Sequence, residues 1–248
     1  MELQALIFDV DGTLAETERD GHRPAFNAAF SASGLAWNWG VALYGELLAV
    51  AGGRERIRHY AQRHDPARAA AADFELPVAR LHAAKTRHYL ASVDRLQLRP
   101  GVRELIAAAR AAGLRLAIAT TTTPDNVTAL LQAQLGAAAP GWFAAIAAGD
   151  TPGAKKPAPD VYRHCLTQLG LGASACLAIE DSAIGLAAAR AAGIWCLVTP
   201  SAYCLREDFA GAQALLRDLA ACQPHDLQRL HAQCKATRID TQHLALPA

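Results

Sequence analysis

The stretch Leu3-Gln4-Ala5-Leu6-Ile7-Phe8-Asp9-Val10-Asp11-Gly12-Thr13 decides how the rest of the chain is read. Residues 3–10 are short and almost continuously apolar, the pattern of a strand buried on both faces of a parallel sheet. Two acids break the end of that run. Side chains alternate along a strand, so Asp9 and Asp11 point the same way and can reach one ion. Asp11-Gly12 alone would be a plain turn leaving a strand. A turn does not explain Asp9, because an unpaired carboxylate in a hydrophobic run is costly to bury. This is a buried strand whose carboxyl end carries chemistry.

Working outward, residues 17–93 change in texture: helical patterns, several charges and no convincing strand. Phe26, Ala29, Phe30 and Ser33 recur at helical spacing, and Gly34 can end that helix. Further helices are predicted at 55–63 and 77–92, with 65–73 a loop or short helix. After Pro100 the rhythm is regular. Helices at 102–112, from Pro124, at 159–169 and at 182–192 alternate with apolar strands at 114–119, 144–148, 176–179 and 195–198. Such alternation implies right-handed crossovers and a Rossmann-like parallel sheet. The first strand is separated from the rest by about 80 helical residues, so a helical insertion follows it. The expected division is an α/β core at 1–15 plus 97–248 and an inserted α-helical domain at 16–96. Residues 222–248 are polar and irregular, a helical or loose tail.

Composition narrows the partners. The 248 residues are 52% hydrophobic and 19% charged, which excludes a disordered or fibrous chain. The 24 basic residues nearly cancel the 23 acidic ones, for a net charge of +1. A general nucleic-acid binder would show a basic face, so no nucleic-acid partner is expected. No apolar run approaches the roughly 20 residues that span a bilayer, and residues 1–10 lack the basic leader of a signal peptide. The six cysteines show no metal-knuckle spacing and read as reduced thiols. A cytoplasmic, monomeric protein without a membrane partner is the expectation.

Ligands of open parallel sheets bind at the carboxyl ends of the strands. Three further ends carry polar clusters. Ala119-Thr120-Thr121-Thr122-Thr123-Pro124 sets hydroxyls and amides before a helix N-terminus, which suits a phosphate; an ordinary N-cap is the competing reading. In Lys155-Lys156-Pro157-Ala158-Pro159-Asp160 a lysine ahead of a helix can present a fixed charge; a solvated basic loop competes. Ile179-Glu180-Asp181-Ser182 offers two acids for an oxygen cage around Mg²⁺, unless Asp181 only caps the helix that follows.

With these motifs in order, the sequence resembles the haloacid dehalogenase superfamily of phosphohydrolases across essentially the whole chain. The insertion resembles the helical cap of the β-phosphoglucomutase-like branch. Within that branch, Glu16-Thr17-Glu18-Arg19-Asp20-Gly21-His22-Arg23, Leu43-Tyr44-Gly45-Glu46-Leu47-Leu48, Gly52-Gly53-Arg54-Glu55-Arg56 and the run from Glu180 to Leu186 are similar to the CbbY-type sugar bisphosphatases. Those enzymes dephosphorylate xylulose-1,5-bisphosphate, an inhibitor of Rubisco. Arg54 departs from the lysine of many relatives, which keeps the charge and changes its geometry.

The resemblance implies a Mg²⁺-dependent phosphatase acting on a small phosphorylated sugar. Asp9 would be the nucleophile and Asp11 the general acid and base, with Thr120 and Lys156 in the catalytic set. Thr121 and Thr122 would bind phosphoryl oxygens, and Asp9, Asp11, Glu180 and Asp181 would form the metal set. In the cap, Glu18, His22, Arg54, Arg56 and Lys85 would hold the sugar and its distal phosphate, with Gly52 and Gly53 allowing close approach. Against this, Glu18 and His22 are spaced as a surface helix pair, and Arg56 and Lys85 suit solvent. Trp37 and Trp39 read as packing. The rival enzymes are a phosphosugar mutase and a phosphoglycolate-type phosphatase. A phosphorylated signalling receiver is disfavoured: it is about half this length, with its acid on a middle strand.

Overall fold

In a computed structural model that describes residues 2–50, 52–149 and 153–236, six parallel strands form one sheet. They are β1 (Ala5–Phe8), β2 (Arg115–Ala119), β3 (Phe143–Ala147), β4 (Cys176–Glu180), β5 (Trp195–Val198) and β6 (Ala214–Leu215), in the order β3-β2-β1-β4-β5-β6. All four residues of β1 are fully buried, as their unbroken apolar run requires. The chain fills one side of β1 with β2 and β3, then crosses to the other with β4. That reversal is the switch point where open α/β sheets bind ligands. Phe8 pairs with Ile118 on β2 and with Ile179 on β4, so Asp9 and Glu180 leave the sheet level with one another.

The chain divides into two compact units, Met1–Glu16 with Gln97–Ala248, and Thr17–Leu96. The second is helical: a π-helical stretch at Glu18–His22 runs into α1 (Arg23–Ala32), followed by α2 (Val41–Leu47), α3 (Gly53–His64), α4 (Pro66–Ala69) and α5 (Glu75–Leu90). Its core is aromatic. Trp39 is wholly buried, with its ring 4.7 Å from Phe26 and 4.8 Å from Phe30. Asn27 pins it by accepting from the Trp39 amide (2.8 Å) and donating to its carbonyl (3.1 Å). Trp37, half-buried, packs edge-on to Phe30 and Tyr60, so both tryptophans serve packing.

The sheet unit carries α6 (Val102–Ala111), α7 (Pro124–Leu135), α8 (Asp160–Leu169), α9 (Ala183–Ala191) and α10 (Pro224–Ala236). Two features depart from the sequence reading: the helix α2, and β6, a sixth strand of two residues. The tail is helical over α10, in line with its reading. That helix buries Leu227 and His231, and the His231 ring meets Trp195 edge-on at 4.8 Å. Residues 237–248 of the expected tail lie outside the described residues. All six cysteines are free thiols. Among the described residues, no helix is long and apolar enough to cross a membrane.

Candidate active site

Asp9 is 6% exposed, and its amide donates to the Ile179 carbonyl (3.0 Å), which locks its backbone to β4. A carboxylate buried there needs a partner. Lys156 supplies it: its Nζ donates to Asp9 Oδ1 (2.7 Å) and to Glu180 Oε1 (2.6 Å). The solvated-loop reading of the lysine pair is thereby corrected for Lys156, which is buried, while Lys155 is exposed. Tyr162, on α8, donates its hydroxyl to the same Glu180 oxygen (2.6 Å).

Asp181 is not the cap of α9. Ser182 holds that post, its hydroxyl accepting from the Gly185 amide (3.2 Å), so the capping reading of Asp181 is set aside. The side chains of Asp9, Glu180 and Asp181 each offer an oxygen within 4.8 Å of the others. Asp11 is half-buried, and its carboxylate falls outside that trio while lying near enough to act on Asp9 electrostatically. Gly12 closes the group at a positive φ of 90°; a Cβ there would sit 2.1 Å from Asp181 Oδ2. Only glycine fits.

The electrostatics follow from this crowding. Burial raises the Asp9 carboxyl well above its usual range, Lys156 opposes that, and Glu180, Asp181 and Asp11 reinforce it. Asp181 is pushed up to about 7 by burial and then by Glu180, against the hydrogen bond from Ser201 and the charges of Lys156 and Arg99. Burial alone would lower the Lys156 ammonium, but Asp9 and Glu180 overcome it and hold it above the ordinary lysine value. The acids outnumber the one ammonium among them. An all-oxygen donor set with surplus negative charge fits a hard divalent cation.

The threonine loop contains the helix cap that competed with the phosphate reading. Thr120 is buried, and its hydroxyl accepts from the Thr122 amide (3.3 Å). Thr123 caps α7, and the Thr122 hydroxyl accepts from Asn126 Nδ2 (3.1 Å), which gives Thr122 a part in shaping the loop. Thr121 is the exposed member.

Within the helical unit, a second polar cluster is assembled. Arg56 is 7% exposed; it donates to Tyr44 Oη (2.9 Å) and the Leu47 carbonyl (3.1 Å) and lies 3.7 Å from Glu18. Tyr44 in turn donates to Glu18. Lys85 is also buried, its Nζ 5.3 Å from the Phe26 ring and 5.5 Å from that of Tyr89, against which His22 packs at 4.3 Å. The solvated readings of Arg56 and Lys85 and the surface-pair reading of Glu18 and His22 are therefore corrected. Gly52 caps the start of α3 at a positive φ of 98°, and Arg54 is exposed one residue beyond Gly53. A Cβ on Gly53 would strike the ring of His82 at 2.8 Å. Burial, then Lys85 and Arg54, push the His82 imidazole down to about 4, so it is neutral near pH 7.

Tyr162, Tyr44, His82 and Arg99 are the functional candidates that sequence reasoning missed. Only Tyr44 carried a signal, in its motif; the other three sit in unremarkable local sequence.

Comparison with known proteins identifies the family. A family model for haloacid dehalogenase-like hydrolases matches residues 3–193. Protein CbbY of Cupriavidus necator is 55% identical over 219 residues, spanning 88% of this chain and 86% of that protein. The crystal structure of CbbY from Rhodobacter sphaeroides in complex with phosphate has a TM-score of 0.80 and 46% identity, over 88% of this chain and 95% of that one. The same values hold for an Asp-to-Asn variant of that protein in complex with xylulose-(1,5)bisphosphate.

Proposed function

The chain belongs to the haloacid dehalogenase-like hydrolases and, within them, to the CbbY proteins, and from that premise we propose that it is a Mg²⁺-dependent phosphatase of xylulose-1,5-bisphosphate. The products are xylulose 5-phosphate and inorganic phosphate. The observation that carries the reading is the buried quartet of Asp9, Lys156, Glu180 and Asp181 at the switch point of the sheet.

Asp9 attacks phosphorus through a carboxylate oxygen and forms an aspartyl-phosphate as the bond to the sugar oxygen breaks. Asp11 gives its proton to that departing oxygen, then takes one from the water that opens the aspartyl-phosphate. Lys156 opposes by direct contact the burial that raises the Asp9 carboxyl, and it offsets phosphoryl charge. Thr120 and the Thr121 amide hold phosphoryl oxygens ahead of α7. Asp9, the main-chain carbonyl of Asp11, Glu180 and Asp181 would hold Mg²⁺. When bound, the ion neutralises charge on the transferring phosphoryl group. In the helical unit, Arg54, Arg56 and Lys85 supply positive charge for the distal phosphate, and Glu18 and His22 bond sugar hydroxyls.

Phosphate release measured over sugar mono- and bisphosphates with Mg²⁺ tests this. Xylulose-1,5-bisphosphate is expected to be preferred, and Asp9→Asn to abolish turnover. Equal rates with monophosphates would sink the bisphosphate assignment. An isomeric sugar phosphate formed without free phosphate would mean a mutase.

A further inference from the structure

Arg99 is not part of the chemistry above, yet its side chain is 8% exposed and bonded on every side. It lies two residues beyond Gln97, where the chain re-enters the sheet unit, and its amide donates to the Leu14 carbonyl (2.8 Å). One guanidinium nitrogen donates to the Gly12 carbonyl and to the Thr199 carbonyl (2.6 Å). The other donates to the carbonyls of Pro200 (2.8 Å) and Arg217 (3.3 Å). Its Nε lies 3.6 Å from Glu16, whose carboxylate accepts from the Ala202 amide (3.2 Å). A planar fork of N–H donors can tie several carbonyls at once, which an ammonium cannot do in one geometry.

The two backbones tied in this way both adjoin one carboxylate. A Cβ on Gly12 would fall 2.1 Å from Asp181 Oδ2 and 2.9 Å from Ser201 Cβ, so Gly12, Ser201 and Asp181 meet closely at one point. Ser201 also hydrogen-bonds Asp181. Resting on the functional reading above, we propose that Arg99, braced by Glu16, is a positioning residue for the divalent cation. It holds the loop after β1 and the loop after β5 in place against Asp181, and so fixes that carboxylate beside Asp9. A purely structural role would affect stability and leave cation affinity alone.

The experiment is calorimetric titration of Mg²⁺ into the intact chain, alongside the Mg²⁺ dependence of phosphate release. Arg99→Gln is expected to weaken Mg²⁺ binding roughly tenfold or more, the usual effect of losing a group that orients a ligand. The Mg²⁺ concentration for half-maximal rate should rise in step, with KM for the bisphosphate at saturating Mg²⁺ nearly unchanged. Arg99→Lys should fall between. Arg103→Gln, which removes another arginine-to-carbonyl tie in the same unit, to Gln134, should cost stability without moving Mg²⁺ affinity. Unchanged Mg²⁺ affinity in Arg99→Gln, or an equal loss in Arg103→Gln, overturns the assignment. Should Arg99→Gln fail to fold, Glu16→Gln must show a smaller loss of Mg²⁺ affinity, and no loss overturns it equally. A wild-type chain that neither binds Mg²⁺ nor releases phosphate refutes the functional reading itself; a normal wild type with an indifferent Arg99→Gln refutes only this inference.

Discussion

Glu180 is the residue on which the site balances. It is fully buried, and one of its oxygens accepts from both Lys156 and Tyr162. Burial, then the Glu180 charge, keep the Tyr162 hydroxyl protonated far above its usual range, so it serves only as a donor to this acid. Tyr162→Phe deletes the donor and keeps the ring. A charged acceptor left one bond short underground costs about 1–3 kcal/mol. Urea denaturation should show that loss, and kcat should fall several-fold with little change in KM; wild-type stability would mean the bond contributes nothing. Asp9 was legible because its local sequence fails to explain a charge there, and Lys156, Glu180 and Asp181 because their polar clusters recur at successive strand ends. Tyr162 was not, since it sits in the apolar stripe of α8 with Val161, Cys165 and Leu169, and its partner is 18 residues away. Arg99 was hidden for the same reason, its carbonyls being up to 118 residues distant.

At the scale of elements, α9 is pressed directly onto that acid. A Cβ on Gly185 would lie 1.9 Å from Glu180 Oε2 and 2.1 Å from Cδ, so the helix needs glycine at its first turn. Propensity alone would make Gly185→Ala stabilising by about 1 kcal/mol. The collision should reverse the sign: a lower melting temperature, and a lower kcat as Glu180 is pushed off Lys156. A stabilised, fully active variant would show the contact to be slack. Legibility at this scale followed signal length. Helices with clear periodicity and glycine ends, such as α6 before Gly113, stood out, as did the apolar strands. Two-residue β6 has no period to detect. The polar residues of α10 mask a buried pair, Leu227 and His231, spaced one helical turn apart. In α2, Gly45 interrupts the only apolar turn.

For the whole molecule, a net charge of +1 hides two opposed local fields. The sheet unit gathers Asp9, Asp11, Glu180 and Asp181 about one lysine, and the helical unit gathers Arg54, Arg56 and Lys85. The acid-rich cluster makes stability depend on pH in an unusual direction. Asp181 keeps its proton up to about pH 7 in the metal-free fold, against a usual value of 3.8. Between those two values the folded chain binds more protons than the unfolded one, so stability falls as pH rises. Below that window Asp181 adds no slope, and above it the penalty is complete. Asp9, raised by burial in the same way, steepens the trend. A divalent cation requires the ionised carboxylate, so Mg²⁺ affinity should climb about tenfold per pH unit towards pH 7 for one displaced proton. Urea denaturation at about pH 5 and about pH 8 checks both signs. Without Mg²⁺ the sheet unit should be less stable at the higher pH, and Mg²⁺ should recover more stability there than at the lower one. Equal Mg²⁺ stabilisation at both would mean that no proton leaves the cluster when the cation enters, and that the acids are already ionised in the metal-free fold.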